Sequence, residues 1–242
     1  MRAKDCSRLL RGADWHDCPR LGALSMAEFY TPTQRLLQDE FETRGLADRL
    51  VDAIVTEELT AEQTAFIHGR NMFFLSTVDA QGFPSASYKG GAPGFVRVPR
   101  SGSLVFPNYD GNGMFMSLGN IEATAKVGLL FIDFETPQRM RVRGGARLLC
   151  DGPMLAGYPG ANMVVQVDIE RVWQNCPRYV HKMHAVEQSP YIPADDGNVK
   201  LALWKRIDAV QDVLTKADRA EAASIGLISA EEYETRVVRG DG

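Results

Sequence analysis

Hydrophobic and polar positions alternate in two ways along this chain, with a helical period towards both ends and a period of two between them. From Gln34 to Glu58, Leu36, Leu37, Phe41, Leu46, Leu50 and Ile54 recur near a helical period, with acids and arginines between them. The pattern predicts helix, broken in two at Gly45. Thr60-Ala-Glu-Gln63 reads as a capping box: the Thr60 hydroxyl takes a backbone N–H while Gln63 reaches back. A short helix to about His68 follows, ended by Gly69. At Asn71 the period changes to two. Met72 to Val78 predicts a strand, Asp79-Ala-Gln-Gly82 a hairpin turn, and the next segment a strand with Ser85, Ser87 and Lys89 on one face and Ala86 and Tyr88 on the other. Further strands are predicted at Phe95–Val98, Ser103–Phe106, Val127–Phe134, Met140–Cys150 and Met163–Trp173, with a short helix at Ile121–Lys126. After Cys176-Pro177 the helical pattern returns, with Leu201, Leu203, Trp204, Ile207, Val210 and Leu214 forming a stripe over Val199–Leu214. Ser229-Ala-Glu-Glu232 resembles a second capping box opening a last short helix.

Short, regularly spaced strands between helical ends predict a mainly β (α+β) fold, a barrel or sandwich rather than a βαβ unit. The organisation is an extension at residues 1–25, N-terminal helices at 26–65, a β-barrel at 66–176 and a helical region at 177–242. Residues 1–25 have no hydrophobic period and are expected to be poorly ordered. Met26-Ala-Glu-Phe29 reads as an alternative chain start.

Composition narrows the class. A chain of 242 residues, 45% hydrophobic and 24% charged, is globular and large enough to bury a core without covalent staples. The longest apolar run, near Val127–Ile132, falls far short of the roughly 20 residues that span a membrane. No secretory signal opens the chain, so a cytoplasmic location is expected. Cys6, Cys18, Cys150 and Cys176 are scattered, with no C-x-x-C, so a zinc knuckle or thioredoxin-type site is excluded. The net charge of −4 is uneven: residues 26–65 carry three bases and nine acids, whereas 66–176 carry ten bases and eight acids. No concentrated basic stripe appears, which argues against nucleic acid as partner. A mildly cationic middle suits a small anionic ligand.

Candidate chemistry concentrates in two places. Phe106 to Asn120 leaves a strand, crosses a Gly/Asn loop and enters a helix. Such a loop offers backbone N–H groups to a phosphate, and Asn108, Asn112, Ser117 and Asn120 add side-chain donors; a plain connection whose glycines serve only the turn is the alternative. Arg139, Arg141 and Arg143 share one strand face, where like charges repel unless acids or an anion lie opposite. They read equally as ligand contacts, a solvated face or an ion-pair network. His181 and His184 are spaced for one helix face but have no third metal ligand nearby. No G-x-S-x-G and no post-strand G-x-G-x-x-G is present, which excludes a nucleophile elbow and a Rossmann dinucleotide site.

The stretch from Phe66 to Cys176 resembles the FMN-binding split barrel of the pyridoxamine 5′-phosphate oxidase superfamily. The likeness rests on Phe73-Phe-Leu-Ser-Thr-Val-Asp-Ala-Gln-Gly-Phe-Pro84, Ser85-Ala-Ser-Tyr-Lys-Gly-Gly91, Ser117-Leu-Gly-Asn-Ile121, Val127-Gly-Leu-Leu-Phe-Ile132 and Arg139-Met-Arg-Val-Arg-Gly-Gly-Ala-Arg147. Cys176-Pro-Arg-Tyr-Val-His181 is similar to a branch described as predicted flavin-nucleotide-binding proteins. The resemblance implies a homodimer with FMN between the subunits. Ser85, Ser87, Tyr88, Lys89 and Gly90 would lie along the flavin, and Asn108, Asn112, Ser117 and Asn120 around its phosphate. Family oxidases place Arg and Lys before the short helix, where this chain has Met116 and Ser117. The missing charge is therefore expected from Lys89, Arg139 or Arg141. The Trp- and Arg-containing C-terminal motif of the vitamin oxidases is absent from Glu232–Gly242. The resemblance thus implies an FMN-dependent oxidoreductase of an unidentified small molecule, with flavin supplying the hydride chemistry. Its rivals are a non-catalytic flavin or haem carrier, in which His181 and His184 become iron ligands, and a barrel whose pocket has lost its ligand.

Overall fold

The computed structural model describes residues 29–241, so the expected disorder of residues 1–25 lies outside the described residues, as do Cys6 and Cys18. Two helices open the described chain: α1 (Pro32–Glu40), with a capping box between Thr31 and Gln34, and α2 (Arg44–Ile54). Their break falls at residues 41–43, where Glu42 takes a left-handed φ of 54°, and not at Gly45, which lies in the first turn of α2. α3 (Ala61–His68) begins at the Thr60–Gln63 capping box and stops at Gly69, as its sequence predicts.

Eight strands follow one another in a single antiparallel sheet: β1 (Val55–Thr56), β2 (Met72–Val78), β3 (Pro84–Gly90), β4 (Arg97–Arg100), β5 (Ser103–Asn108), β6 (Lys126–Asp133), β7 (Gln138–Leu149) and β8 (Met163–Asn175). Their order is β3-β2-β6-β7-β8-β5-β4, with β1 added to β8. In the β2–β3 hairpin the Asp79 carboxylate accepts from the Gln81 and Phe83 backbone N–H groups, and Gly82 turns the chain at φ 91°. The sheet curls on itself. The Phe73 ring of β2 meets Phe106 of β5 at 5.0 Å, although the two strands are four steps apart in the sheet. Flat strands at about 4.8 Å spacing would hold them roughly 19 Å apart. The edges β3 and β4 are not hydrogen-bonded to each other, which leaves the barrel split along one seam.

The interior holds Phe73, Leu75, Leu104, Phe106, Leu129, Phe131, Val142, Val165 and Val172, all essentially inaccessible to solvent. Phe131 belongs to this core. Val164 is buried on the other side of β8 with Tyr158 and Val105, against the short helix α5 (Gly152–Ala156). Neither is an outward apolar residue needing a partner, whereas Phe74 is partly open. Between Arg143 and Gly144 the β7–β8 register slips. A Cβ on Gly144 would lie 2.1 Å from the Asp168 carbonyl oxygen, so the bulge requires glycine.

α4 (Met116–Thr124) starts five residues before the predicted helix and buries Leu118 and Ile121 in the core. The C-terminal region departs most from its pattern. Residues 176–202 are irregular, so His181 and His184 share no helix; His184 is exposed, 3.8 Å from Glu135. In place of a helix over 199–214 there are two 3₁₀ turns, Leu203–Arg206 and Asp208–Val210. Tertiary contacts override the helical period here. Leu201 and Leu203 are buried, the Gln211 amide donates to the carbonyls of Lys205 and Ile207, and Ile207 forms a parallel bridge with Ile228. Helices α6 (Lys216–Ile225) and α7 (Ala230–Arg239) follow, α7 starting where the Ser229 hydroxyl accepts from the Glu232 N–H. Among the described residues no helix is long and apolar enough to cross a membrane.

Candidate functional site

The site forms where the edge strand β3 meets the N-terminal turn of α4. Period-two alternation puts Ser85, Ser87 and Lys89 on the inward face, opposite Thr77, Leu75 and Phe73 of β2. All three are half-buried, while Ala86 and Tyr88 are exposed. Tyr88 turns outward and packs edge-on against Phe74 with ring centroids 6.1 Å apart. Gly90 closes the strand opposite Met72. At Gly91 a Cβ would sit 2.4 Å from the Phe95 ring, so the ring packs directly on the backbone.

The loop after β5 reaches this strand from the other side. Asn108 bonds Asn162 at 2.8 Å and Asn112 accepts the Met114 N–H at 3.0 Å, so both side chains shape the loop itself. Gly113 and Phe115 both take left-handed φ angles, and Phe115 delivers the chain into α4 without any side-chain cap. The first-turn N–H groups of α4 are thus left for solvent or a ligand. Three contacts pin α4 on the β2–β3 hairpin: the Ser87 and Ser117 hydroxyls lie 3.1 Å apart, the Asn120 amide donates to the Thr77 hydroxyl at 3.1 Å, and the Thr124 hydroxyl donates to the Val78 carbonyl at 3.0 Å.

Lys89 supplies the charge. Burial alone pushes its ammonium below the ordinary lysine range, and no carboxylate among the described residues offsets it. A half-buried ammonium without an acid, beside hydroxyls and an uncapped helix N-terminus, fits an anion that accepts several hydrogen bonds, such as a phosphate. Ser85, Ser87 and Lys89 thus share one strand face, and Ser117 and Asn120 meet the same hairpin from α4.

Arg139 and Arg141 are not brought there within one chain. Arg141 stands in the outward row Tyr88, Phe74, Leu130, Arg141, Trp173, three strands from β3, so about 14 Å away and on the other face of the sheet. Arg139 donates to the Cys176 carbonyl at 3.0 Å.

The sequence gives little sign of two further contributors. Thr77, 1% exposed, holds Asn120 from beneath. Lys205, 5% exposed, donates to Asp110 in the loop at 2.5 Å and to Asp218 of α6 at 3.1 Å. Burial opposes its charge, but those two carboxylates outweigh burial and raise Lys205 above the usual lysine range. A lysine directly after the apolar run Leu201–Trp204 is the available signal.

Residues 59–176 match the family model described as pyridoxamine 5′-phosphate oxidase. No curated protein matches the chain. Among solved structures, a Lactobacillus delbrueckii protein provisionally named a pyridoxamine 5′-phosphate oxidase is 28% identical, with 49% of this chain and 95% of that one covered and a TM-score of 0.41. The haem storage protein HutZ of Vibrio cholerae is 17% identical over 48% of this chain and 95% of its own, with a TM-score of 0.36. An FMN-binding protein of Syntrophomonas wolfei is 13% identical over 58% and 97%, with a TM-score of 0.35. The likeness to the pyridoxamine 5′-phosphate oxidase family is thus carried by residues 59–176, just under half of the chain.

Proposed function

We propose that the chain binds FMN at the junction of β3 and α4, as the cofactor of an oxidoreductase acting on a small molecule. The observation that carries this reading is Lys89, a half-buried cation that no acid among the described residues offsets, on the strand face of Ser87, whose hydroxyl meets Ser117 at the uncapped start of α4. When bound, FMN supplies the hydride chemistry. Ser117, the N–H groups of α4 and Lys89 hold its phosphate, replacing the Arg and Lys that the family resemblance leads one to expect at Met116 and Ser117. Ser85 and Ser87 offer hydroxyls to its polar chain. The exposed side chains Met114 and Phe115 form the apolar rim. A second copy of the chain closes the site in a homodimer, in a cytoplasmic setting.

Pyridoxamine 5′-phosphate is not the preferred substrate in this reading. Its phosphate needs a cationic clamp of its own, and in the tail Arg236 is already paired with Glu232 at 2.5 Å. The test is the absorbance spectrum of purified protein, followed by mass identification of the released cofactor and stopped-flow reduction. FMN is expected, bleached faster by reduced nicotinamide than by pyridoxamine 5′-phosphate. A Soret band in place of the flavin bands, or a colourless protein that takes up no added FMN, would overturn the reading.

A further inference from the structure

A second site lies on the outward face of the sheet, away from Lys89. The α1–α2 hairpin and the outward faces of β7 and β8 wall a half-open cavity of about 320 Å³ there. Arg141 and Arg143 of β7 both line it, two residues apart and so on one face. Arg143 lies over the Phe29 ring at 4.9 Å, and its Nε is buried without a hydrogen-bond partner. No acid pairs with either arginine among the described residues. Arg35, the nearby arginine of α1, is by contrast held by Asp48 at 2.6 Å. Asn175, at the end of β8, likewise buries an Oδ1 that accepts from nothing. The remaining walls are mostly apolar, with Phe29, Tyr30 and Trp173 on one part and Leu50, Val51, Ile54 and Val55 on another. Phe29 meets Trp173 edge-on at 5.5 Å, and Tyr30, whose hydroxyl donates to the Ala47 carbonyl at 3.2 Å, stands beside it.

Two neighbouring like charges without a counter-charge repel each other, and buried polar atoms without partners cost free energy. An occupant with complementary groups relieves both. We propose that this cavity binds a small aromatic anion. Its carboxylate sits between Arg141 and Arg143, its ring packs against Phe29 and Trp173, and a hydroxyl or N–H donor on the ring meets Asn175 Oδ1. The volume is near the lower end of ligand pockets, roughly 300–1,000 Å³, which suits one ring or a fused pair. This site does not rest on the flavin reading, since its residues face the opposite side of the sheet.

Ligand-observed NMR titration of the full chain with 4-hydroxybenzoate tests the proposal, with neutral 4-hydroxybenzamide as control. Binding with a Kd below about 1 mM is expected for the acid, and at least about tenfold weaker binding for the amide. Arg143→Gln should weaken the acid about tenfold and leave flavin absorbance unchanged. Asn175→Asp keeps the side-chain shape but supplies the missing counter-charge. It should abolish acid binding even where an arginine variant fails to fold. No binding of the acid, equal binding of acid and amide, or binding unchanged in Arg143→Gln or Asn175→Asp would overturn the proposal.

Discussion

Lys89 illustrates what a single residue costs and contributes. Its position on the polar face of β3 is legible in the sequence, because strand alternation is local. Its lack of an acidic partner is not, because that depends on which residues the curled sheet brings near. Desolvation lowers its pKa from the ordinary 10.5. Between the lowered value and 10.5 the unfolded chain binds more protons than the folded one, so stability without ligand should rise with pH across that window. Below the window the burial penalty is present in full. Lys89→Met removes it, and thermal unfolding of the ligand-free variant should show no loss of stability near neutral pH and no rise in that alkaline window. The same change should weaken FMN at least tenfold, because a charge-assisted contact is worth about 1.5–3 kcal/mol and one decade is about 1.4 kcal/mol. Paired loss of stability and affinity would mean that Lys89 has a structural partner instead. Arg139→Ala with Arg141→Ala provides the contrast. Both face away from Ser117 within the chain, so FMN affinity in fluorescence titration should stay within about threefold. A tenfold loss would show that a partner subunit carries these arginines to the phosphate.

Among the elements, those built from local signals match their sequence and those set by distant contacts do not. α3 lies between its capping box and Gly69, and β2 spans the predicted residues. α4 begins early because Phe115 accepts a left-handed conformation that no local preference of phenylalanine favours. The stripe from Leu201 to Leu214 satisfies a helical period yet folds as 3₁₀ turns, since Lys205 must reach Asp110 and Asp218 at once. That ion pair ties the C-terminal region to the loop that enters α4. Lys205→Met should cost about 2–3 kcal/mol in urea unfolding, because it leaves two carboxylates facing each other with one of them mostly buried. It should also loosen residues 109–115, seen as faster amide exchange there and several-fold weaker FMN binding. Asp110→Asn should loosen the loop with a smaller stability loss, because Asp110 is the more exposed acid. Unchanged exchange in both variants would confine Lys205 to the packing of α6.

For the whole molecule, the strand spacing conveys a barrel, while its split edge emerges only from the pairing order. That edge is where a second copy of the chain should dock. β3 is unpaired on one side, and Phe83, Tyr88, Met114, Phe115 and Met116 are each more than half exposed along it and the adjoining start of α4. Large apolar side chains grouped at one edge of a folded protein mark an interaction surface. Met114 and Phe115 also rim the candidate flavin site, so covering the patch would exclude water from it. Burying five such side chains at about 1.5–3 kcal/mol each, less the cost of association, is enough for a dimer at micromolar concentration. Sedimentation velocity should therefore show a dimer of the 26.8 kDa chain. Tyr88→Lys with Phe115→Glu places charges of opposite sign within the patch, so net charge is unchanged and only the apolar cover is lost. The pair should give monomers and weaken FMN together, even though neither residue supplies a phosphate contact. A monomeric variant that keeps full FMN affinity would show that each chain holds its flavin alone. A variant that remains dimeric would move the interface elsewhere, to the exposed face of α1 and α2 where Leu36, Leu37 and Phe41 stand open.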